Sequence, residues 1–191
     1  MILMRHGQSH FNVAYAETRK DPGLRDPGLT DLGREQVAVA AAHLEQEQRE
    51  VRRIVASPYT RALETADIVG KVLGLPVAVD PTVGERAVFT CDIGTPRSHL
   101  EQRWPEIALN HVDEEWWPVL QESEPDFHAR SLGYRTRLAD SGDWRGTLVV
   151  CHWGFIRALT GHGVQNADLI AFDPTAPHPG GGTVVPVADP C

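Results

Sequence analysis

Apolar runs of three to five residues, bounded by turn-formers, alternate along the chain with stretches of helical periodicity. Ile2-Leu3-Met4 reads as a buried strand, and residues 8–16 as a short helix. The turn-rich loop Asp-Pro-Gly-Leu-Arg-Asp-Pro-Gly over 21–28 follows. Thr30 is positioned to cap a second helix, Asp31 suits its positive end, and Val37, Ala41 and Leu44 supply an i, i+4, i+7 apolar face. Residues 53–56 form the next predicted strand, and Ser57-Pro58 opens a helix to about Leu73 with Ala62, Ala66, Val69 and Leu73 on one stripe. Residues 77–79 predict a third strand ending at Gly84-Glu85-Arg86, and 88–125 is irregular. Phe127, Ser131, Tyr134 and Leu138 mark another helix, and 147–151 is the strongest strand signal. His152-Trp153-Gly154 then opens a helix ending near Gly161. Residues 169–172 and 183–187 predict two late strands, paired as a hairpin across a flexible Pro/Gly-rich loop. Strands alternating with helices predict an α/β sandwich. A single domain over 1–191 is expected, with a cap-like insertion around 86–125.

The chain's 191 residues carry a formal charge of −8, a balance that disfavours nucleic acid and anionic membrane surfaces as partners. An anion site must therefore be a local basic pocket. No apolar run is long enough to span a bilayer, and a strand beginning at residue 2 leaves no room for a leader peptide. Three cysteines, Cys91, Cys151 and Cys191, lack the spacing of a disulfide framework or zinc knuckle, so a reducing, cytoplasmic location is expected. Cys151 lies in an apolar run and reads as core; its neighbour His152 points to the opposite face of a strand, which argues against a nucleophilic thiol. A homodimer through the tail ending in Cys191 is open, with fraying of that tail the simpler expectation.

Leu3-Met4-Arg5-His6-Gly7 places an arginine and a histidine after a strand, where ligands gather in open α/β sheets. An imidazole can attack phosphorus, and a guanidinium holds phosphate oxygens through paired charge-assisted hydrogen bonds. Three more segments put phosphate-competent side chains after strands: Ser57-Pro58-Tyr59-Thr60-Arg61-Ala62, Gly84-Glu85-Arg86 and Cys151-His152-Trp153-Gly154. Singly, each has a duller reading: Arg61 paired with Glu64, Glu85 paired with Arg86, His152 as a helix-start residue.

Together, in this order, the segments resemble the histidine phosphatase superfamily, which includes cofactor-dependent phosphoglycerate mutases and fructose-2,6-bisphosphatase. The likeness rests on Arg-His-Gly-Gln-Ser-His-Phe-Asn at 5–12, Leu-Thr-Asp-Leu-Gly at 29–33, Ser-Pro-Tyr-Thr-Arg-Ala-Leu-Glu-Thr-Ala at 57–66 and Val-Val-Cys-His-Trp-Gly at 149–154, and covers roughly residues 1–172. It implies a phosphoglycerate mutase-like three-layer sandwich with a mostly parallel mixed sheet flanked by helices. It also implies His6 as the nucleophile that forms a phosphohistidine, with Arg5, Arg61 and His152 around the phosphoryl oxygens. The chemistry agrees: His6 must attack through an unprotonated nitrogen while its other nitrogen makes a hydrogen bond, and His152 helps only when protonated beside a phosphate dianion.

Hydrolysis needs an acid for the departing alkoxide and then a base for water. Glu85 fits, since Gly84-Glu85-Arg86 resembles the family's acid-bearing segment; Asp92 is the alternative. The substrate-binding set is Gln8, Asn12, Arg86, Arg97 and Trp153. Arg97 is suited to a second anionic group, and Trp153 to an apolar wall; Trp104, Trp116 and Trp117 are as well explained by packing. His6 and His10 are separated by a strand-to-helix turn and lack accompanying carboxylates, so neither metal nor other cofactor is expected. The family's mutases are longer and carry extra segments that keep water out, so the resemblance together with the short connection after Gly154 implies a metal-independent phosphomonoester hydrolase, a histidine acid-type phosphatase, acting on a small phosphate ester. A phosphoglycerate mutase-type phosphomutase is the second reading, and a non-catalytic phospho-ligand binding domain a distant third.

Overall fold

The computed structural model describes residues 1–47 and 50–187. Six strands, β1 (Ile2–Arg5), β2 (Arg53–Ala56), β3 (Val77–Val79), β4 (Thr147–Cys151), β5 (Leu169–Phe172) and β6 (Gly182–Val185), form one sheet in the order β3-β2-β4-β1-β5-β6. The first four of these positions pair in parallel, whereas β5 pairs antiparallel with both of its neighbours, β1 and β6. Six helices flank it: α1 (His10–Thr18), α2 (Asp31–Gln46), α3 (Thr60–Leu73), α4 (Arg97–Arg103), α5 (Glu124–Ser141) and α6 (Trp153–Thr160).

Strand alternation builds the layers. Leu148 and Val150 of β4 join Met4 and Ile54 in a core with Val37, Ala41 and Leu44 of α2 and Ala62, Ala66 and Val69 of α3. Val149 and Cys151 face the other way, with Leu3, into a core with Tyr134 of α5 and Phe155, Ile156 and Leu159 of α6. All of β4 is buried, which explains why it reads as a continuous apolar run.

Several local expectations shift. Helix α1 starts at His10, after Ser9, whose hydroxyl caps Asn12 while the Asn12 side chain accepts from the Ser9 N–H. Helix α3 starts at Thr60, past Pro58; with Tyr59 offering no side-chain cap, Asp26 from the turn-rich loop takes the Thr60 N–H at 2.9 Å and its hydroxyl at 2.8 Å. The last strand ends at Val185. The stretch 88–125 is irregular only in part: it contains α4, and Leu100, Trp104, Ile107, Leu109, Val112 and Trp116 bury into the α2–α3 core. Packing therefore accounts for Trp104 and Trp116. The Pro/Gly-rich loop before β6 is pinned by the buried Arg135 guanidinium, which donates to the carbonyls of Leu159, Pro174, Ala176 and Gly180. Residues 188–191, including Cys191, lie outside the described residues. No described helix is long and apolar enough to cross a membrane.

Candidate active site

Parallel pairing sets Arg5 beside Cys151 in adjacent strands, so the next residues, His6 and His152, emerge together at the carboxyl end of the sheet. The His6 N–H donates to the Cys151 carbonyl at 3.1 Å, and the two imidazoles lie 5.2 Å apart between centroids. His6 is buried, with Nδ1 2.7 Å from the Gly7 carbonyl oxygen. A carbonyl only accepts, so Nδ1 carries the proton and Nε2 keeps its lone pair. Burial, then the charges of Arg61 and Arg5, hold the His6 pKa well below the ordinary range, which keeps the ring neutral.

The glycines of two motifs form one contact here. A Cβ on Gly7 would strike the Gly33 carbonyl and Val37, and a Cβ on Gly33 would strike the Gln8 backbone. The loop after His6 thus lies directly on the start of α2, and the Gly7 N–H is held by Thr65 Oγ1 at 3.2 Å.

Arg5 donates through Nη1 to the Val164 carbonyl at 2.8 Å, while its buried Nε has no partner among the described residues. Arg61 is buried and clamped: Nη1 to the Cys91 carbonyl at 2.9 Å, Nη2 to Asp92 Oδ1 at 3.0 Å, with the guanidinium 4.5 Å from the Tyr59 ring centroid. Burial lowers its pKa, but Asp92, together with Cys91, Tyr59 and Asp26, outweighs that effect and the net direction is upward. Its partner is therefore Asp92, not Glu64, which instead pairs with Arg34 at 2.7 Å and with Arg103. Among the described residues neither nitrogen of the buried His152 has a partner, and burial followed by the Arg61 charge pushes its pKa well down. Orphaned buried polar atoms on Arg5 and His152 are a recurring mark of a site built for a ligand.

Glu85 is half-buried. Its carboxylate accepts the Gly154 N–H at 3.0 Å and the Arg86 N–H at 3.0 Å. Burial, then the Asp92 charge, raises its pKa against the opposing pull of those N–H groups and Arg61. Gly154 is required for this approach, since a Cβ there would collide with Glu85 Oε1. Asp92, the alternative acid, has both oxygens committed, one to Arg61 and the other to the N–H groups of Val88 and Phe89 at 3.1 and 3.0 Å. Asn12 Oδ1 accepts from Ser9 and from Asn166 Nδ2 at 3.2 Å, and its own amide nitrogen remains for a ligand.

Arg5, His6, Asn12, Arg61, Glu85, Arg86 and Trp153 all line one cleft of about 1140 Å³. Two residues of the expected substrate-binding set fall elsewhere. Gln8 accepts from the Thr30 hydroxyl at 2.8 Å and supports the α2 cap. Arg97 pairs with Glu101 at 2.9 Å and Glu114 at 3.6 Å on the insertion, outside the cleft wall. Sequence reasoning passed over Asp92 as the arginine clamp, and Phe11, Tyr15, Phe89, Arg19 and Arg157 in the cleft; only the i, i+4 spacing of Phe11 and Tyr15 signalled any of them. Cys151 is buried, and that burial raises its pKa, the opposite of an activated thiol. Among the described residues, no group of three or more His, Cys, Asp or Glu side chains is arranged to hold a metal ion.

A neutral buried imidazole flanked by arginines at the carboxyl end of a mostly parallel sheet defines the class: an enzyme that transfers phosphoryl groups. The chain belongs to the histidine phosphatase superfamily (branch 1), whose family model matches residues 1–186. It is 33% identical over 168 residues to a glucosyl-3-phosphoglycerate phosphatase of Mycolicibacterium vanbaalenii, covering 84% of this chain and 72% of that protein. It is 30% identical over 166 residues to a 2,3-bisphosphoglycerate-dependent phosphoglycerate mutase of Nitrobacter winogradskyi, covering 83% and 78%. A solved structure of a mycobacterial glucosyl-3-phosphoglycerate phosphatase with VO3 superposes with a TM-score of 0.61 at 28% identity, over 89% of this chain and 88% of that one. The sheet flanked by helices is accordingly a phosphoglycerate mutase-like α/β fold, and the protein is a phosphoric monoester hydrolase of this superfamily.

Proposed function

We propose that the protein hydrolyses a small phosphorylated metabolite in two steps through His6. In the first, His6 Nε2 bonds to phosphorus as the ester P–O bond breaks, and protonated Glu85 gives its proton to the departing alkoxide. In the second, the Glu85 carboxylate takes a proton from water, the water oxygen bonds to phosphorus, the Nε2–P bond breaks, and inorganic phosphate leaves. Arg5, Arg61 and Asn12 supply donors to the phosphoryl oxygens throughout. His152, held neutral by burial and the Arg61 charge, takes up a proton when the dianion arrives and becomes a stronger donor.

The observation that carries this reading is the Nδ1 contact of His6 to the Gly7 carbonyl, which leaves Nε2 unprotonated among arginines. The names of the relatives support a phosphoglycerate-type ester as substrate class. The mutase relatives also support a second reading, in which the phosphoryl group returns to substrate instead of water. Incubation with radiolabelled phosphate ester, a rapid acid-free quench and gel analysis tests the first step: wild type is expected to carry alkali-stable label and His6→Ala none. Label retained in His6→Ala would overturn the assignment. Phosphate release from 3-phosphoglycerate with and without 2,3-bisphosphoglycerate separates the readings, since isomerisation without net release identifies the mutase.

A further inference from the structure

The cleft extends beyond the phosphoryl pocket, and its outer wall has a composition that neither core explains. Phe11 and Tyr15, one turn apart on α1, meet Phe89 of the insertion in a closed triad with centroid separations of 5.3, 5.4 and 5.2 Å. All three line the cleft, and none belongs to either core cluster, although Phe11 is buried. Their position is tied to the chemistry, because the Asp92 oxygen that accepts the Phe89 N–H belongs to the carboxylate that clamps Arg61. Besides Arg5 at the phosphoryl pocket, two cations farther along the cleft lack counter-ions among the described residues. Arg19 lies 5.9 Å from the Tyr15 ring centroid and Arg157 lies 5.0 Å from that of Trp153, and neither has a carboxylate within ion-pair distance among the described residues. Arg86, by contrast, sits 3.9 Å from Glu124, and Arg61 is held by Asp92. In a chain of net charge −8, two uncompensated arginines in one cleft form a local anion-attracting field.

We propose that this outer cleft is a leaving-group subsite: the Phe11–Tyr15–Phe89 shelf takes the face of a ring on the alcohol side of the ester, and Arg157 and Arg19 take a second anionic group on the same alcohol. The inference rests on the phosphatase reading above. Aromatic faces attract the electropositive C–H edges of saturated or aromatic rings, and guanidinium groups bind a carboxylate or a further phosphate alike. The natural substrate is therefore a ring-bearing alcohol phosphate with a second negative charge, rather than a short neutral alkyl phosphate.

The test compares kcat/KM on esters with similar alkoxide leaving groups. Glycerol 3-phosphate is the reference, 2-phenylethyl phosphate adds a ring, 3-phosphoglycerate adds a carboxylate, and glycerol 1,3-bisphosphate adds a phosphate. Wild type is expected to prefer the ring-bearing ester over the reference by about tenfold, at the upper end of what one aromatic contact contributes. Tyr15→Ala should erase most of that ratio, Tyr15→Phe should keep it, and Val13→Ala on the same helix but outside the cleft should leave it as in wild type. Arg157→Gln should lower the preference for whichever of the two charged esters is favoured, which also identifies the anion. Equal ratios across these variants would overturn the subsite while leaving the phosphatase intact. Failure of wild type to hydrolyse any of the esters or to form a phosphoenzyme would overturn the phosphatase reading and the subsite with it.

Discussion

Replacing Glu85 by Gln removes the proposed acid without removing its bulk. The substitution has two separable costs. Chemically, positioned proton transfer contributes about 10²–10⁴-fold, or roughly 3–5 kcal/mol of barrier, whenever the leaving group needs a proton. Structurally, the Glu85 carboxylate accepts two backbone N–H groups, from Gly154 and Arg86, both at 3.0 Å. A Gln amide can accept only one of them and turns an NH₂ toward the other, a loss of about 1–3 kcal/mol in fold stability. The assay must separate the two, so turnover is measured on glycerol 3-phosphate and on nitrophenyl phosphate, with thermal melting alongside. Nitrophenolate departs without help, whereas an alkoxide does not. The expected result is a loss of at least about 100-fold on glycerol 3-phosphate with a much smaller loss on nitrophenyl phosphate. The raised pKa of Glu85 adds a sign: the acid form is lost as pH rises through it, so alkyl-ester turnover should fall on the alkaline side and Glu85→Gln should abolish that limb. Equal losses on both substrates with an unchanged pH profile would refute the role of Glu85 as acid.

The remaining expectations follow from the same contacts. Gly7→Ala drives a methyl into the Gly33 carbonyl and Val37, so it should destabilise the fold by about 1–3 kcal/mol in urea titrations and lower turnover by displacing His6; a neutral result would refute the close packing. Asp92→Asn leaves the buried Arg61 without its counter-charge, which predicts about 3–5 kcal/mol lost in denaturant unfolding and weaker vanadate binding. The same change lowers the Glu85 pKa by removing a neighbouring negative charge, so the alkaline limb should move to lower pH. His6 and His152 are held neutral below their ordinary value of 6.5, so the unfolded chain binds more protons. Their contribution to stability is present above that value and lost as pH falls below it. Melting curves should show this decline, phosphate should offset it by favouring protonated His152, and His152→Gln should blunt both effects.

What the sequence disclosed and what it concealed divide along a physical line. Strand ends were legible because β1 and β4 are short apolar runs followed at once by polar residues, and parallel pairing then obliges His6 and His152 to meet. Arg61 was legible from its motif, yet its partner was not: Glu64 sits one turn away on the same helix, but the guanidinium turns to Asp92, thirty-one residues downstream. Such a pairing depends on how the insertion folds back, which no local periodicity encodes. The same holds for Arg97, whose chemistry suited an anion but whose nearest carboxylates, Glu101 and Glu114, lie within its own segment. Gln8 shows the converse, since it stands in the nucleophile's motif but supports the α2 cap by way of Thr30. A motif therefore specifies reacting atoms better than it specifies substrate contacts. The reacting atoms hang from strand ends whose geometry the sheet dictates. The substrate contacts hang from loops, placed by long-range hydrogen bonds such as those from the Thr60 N–H to Asp26 and from the Arg61 guanidinium to Asp92.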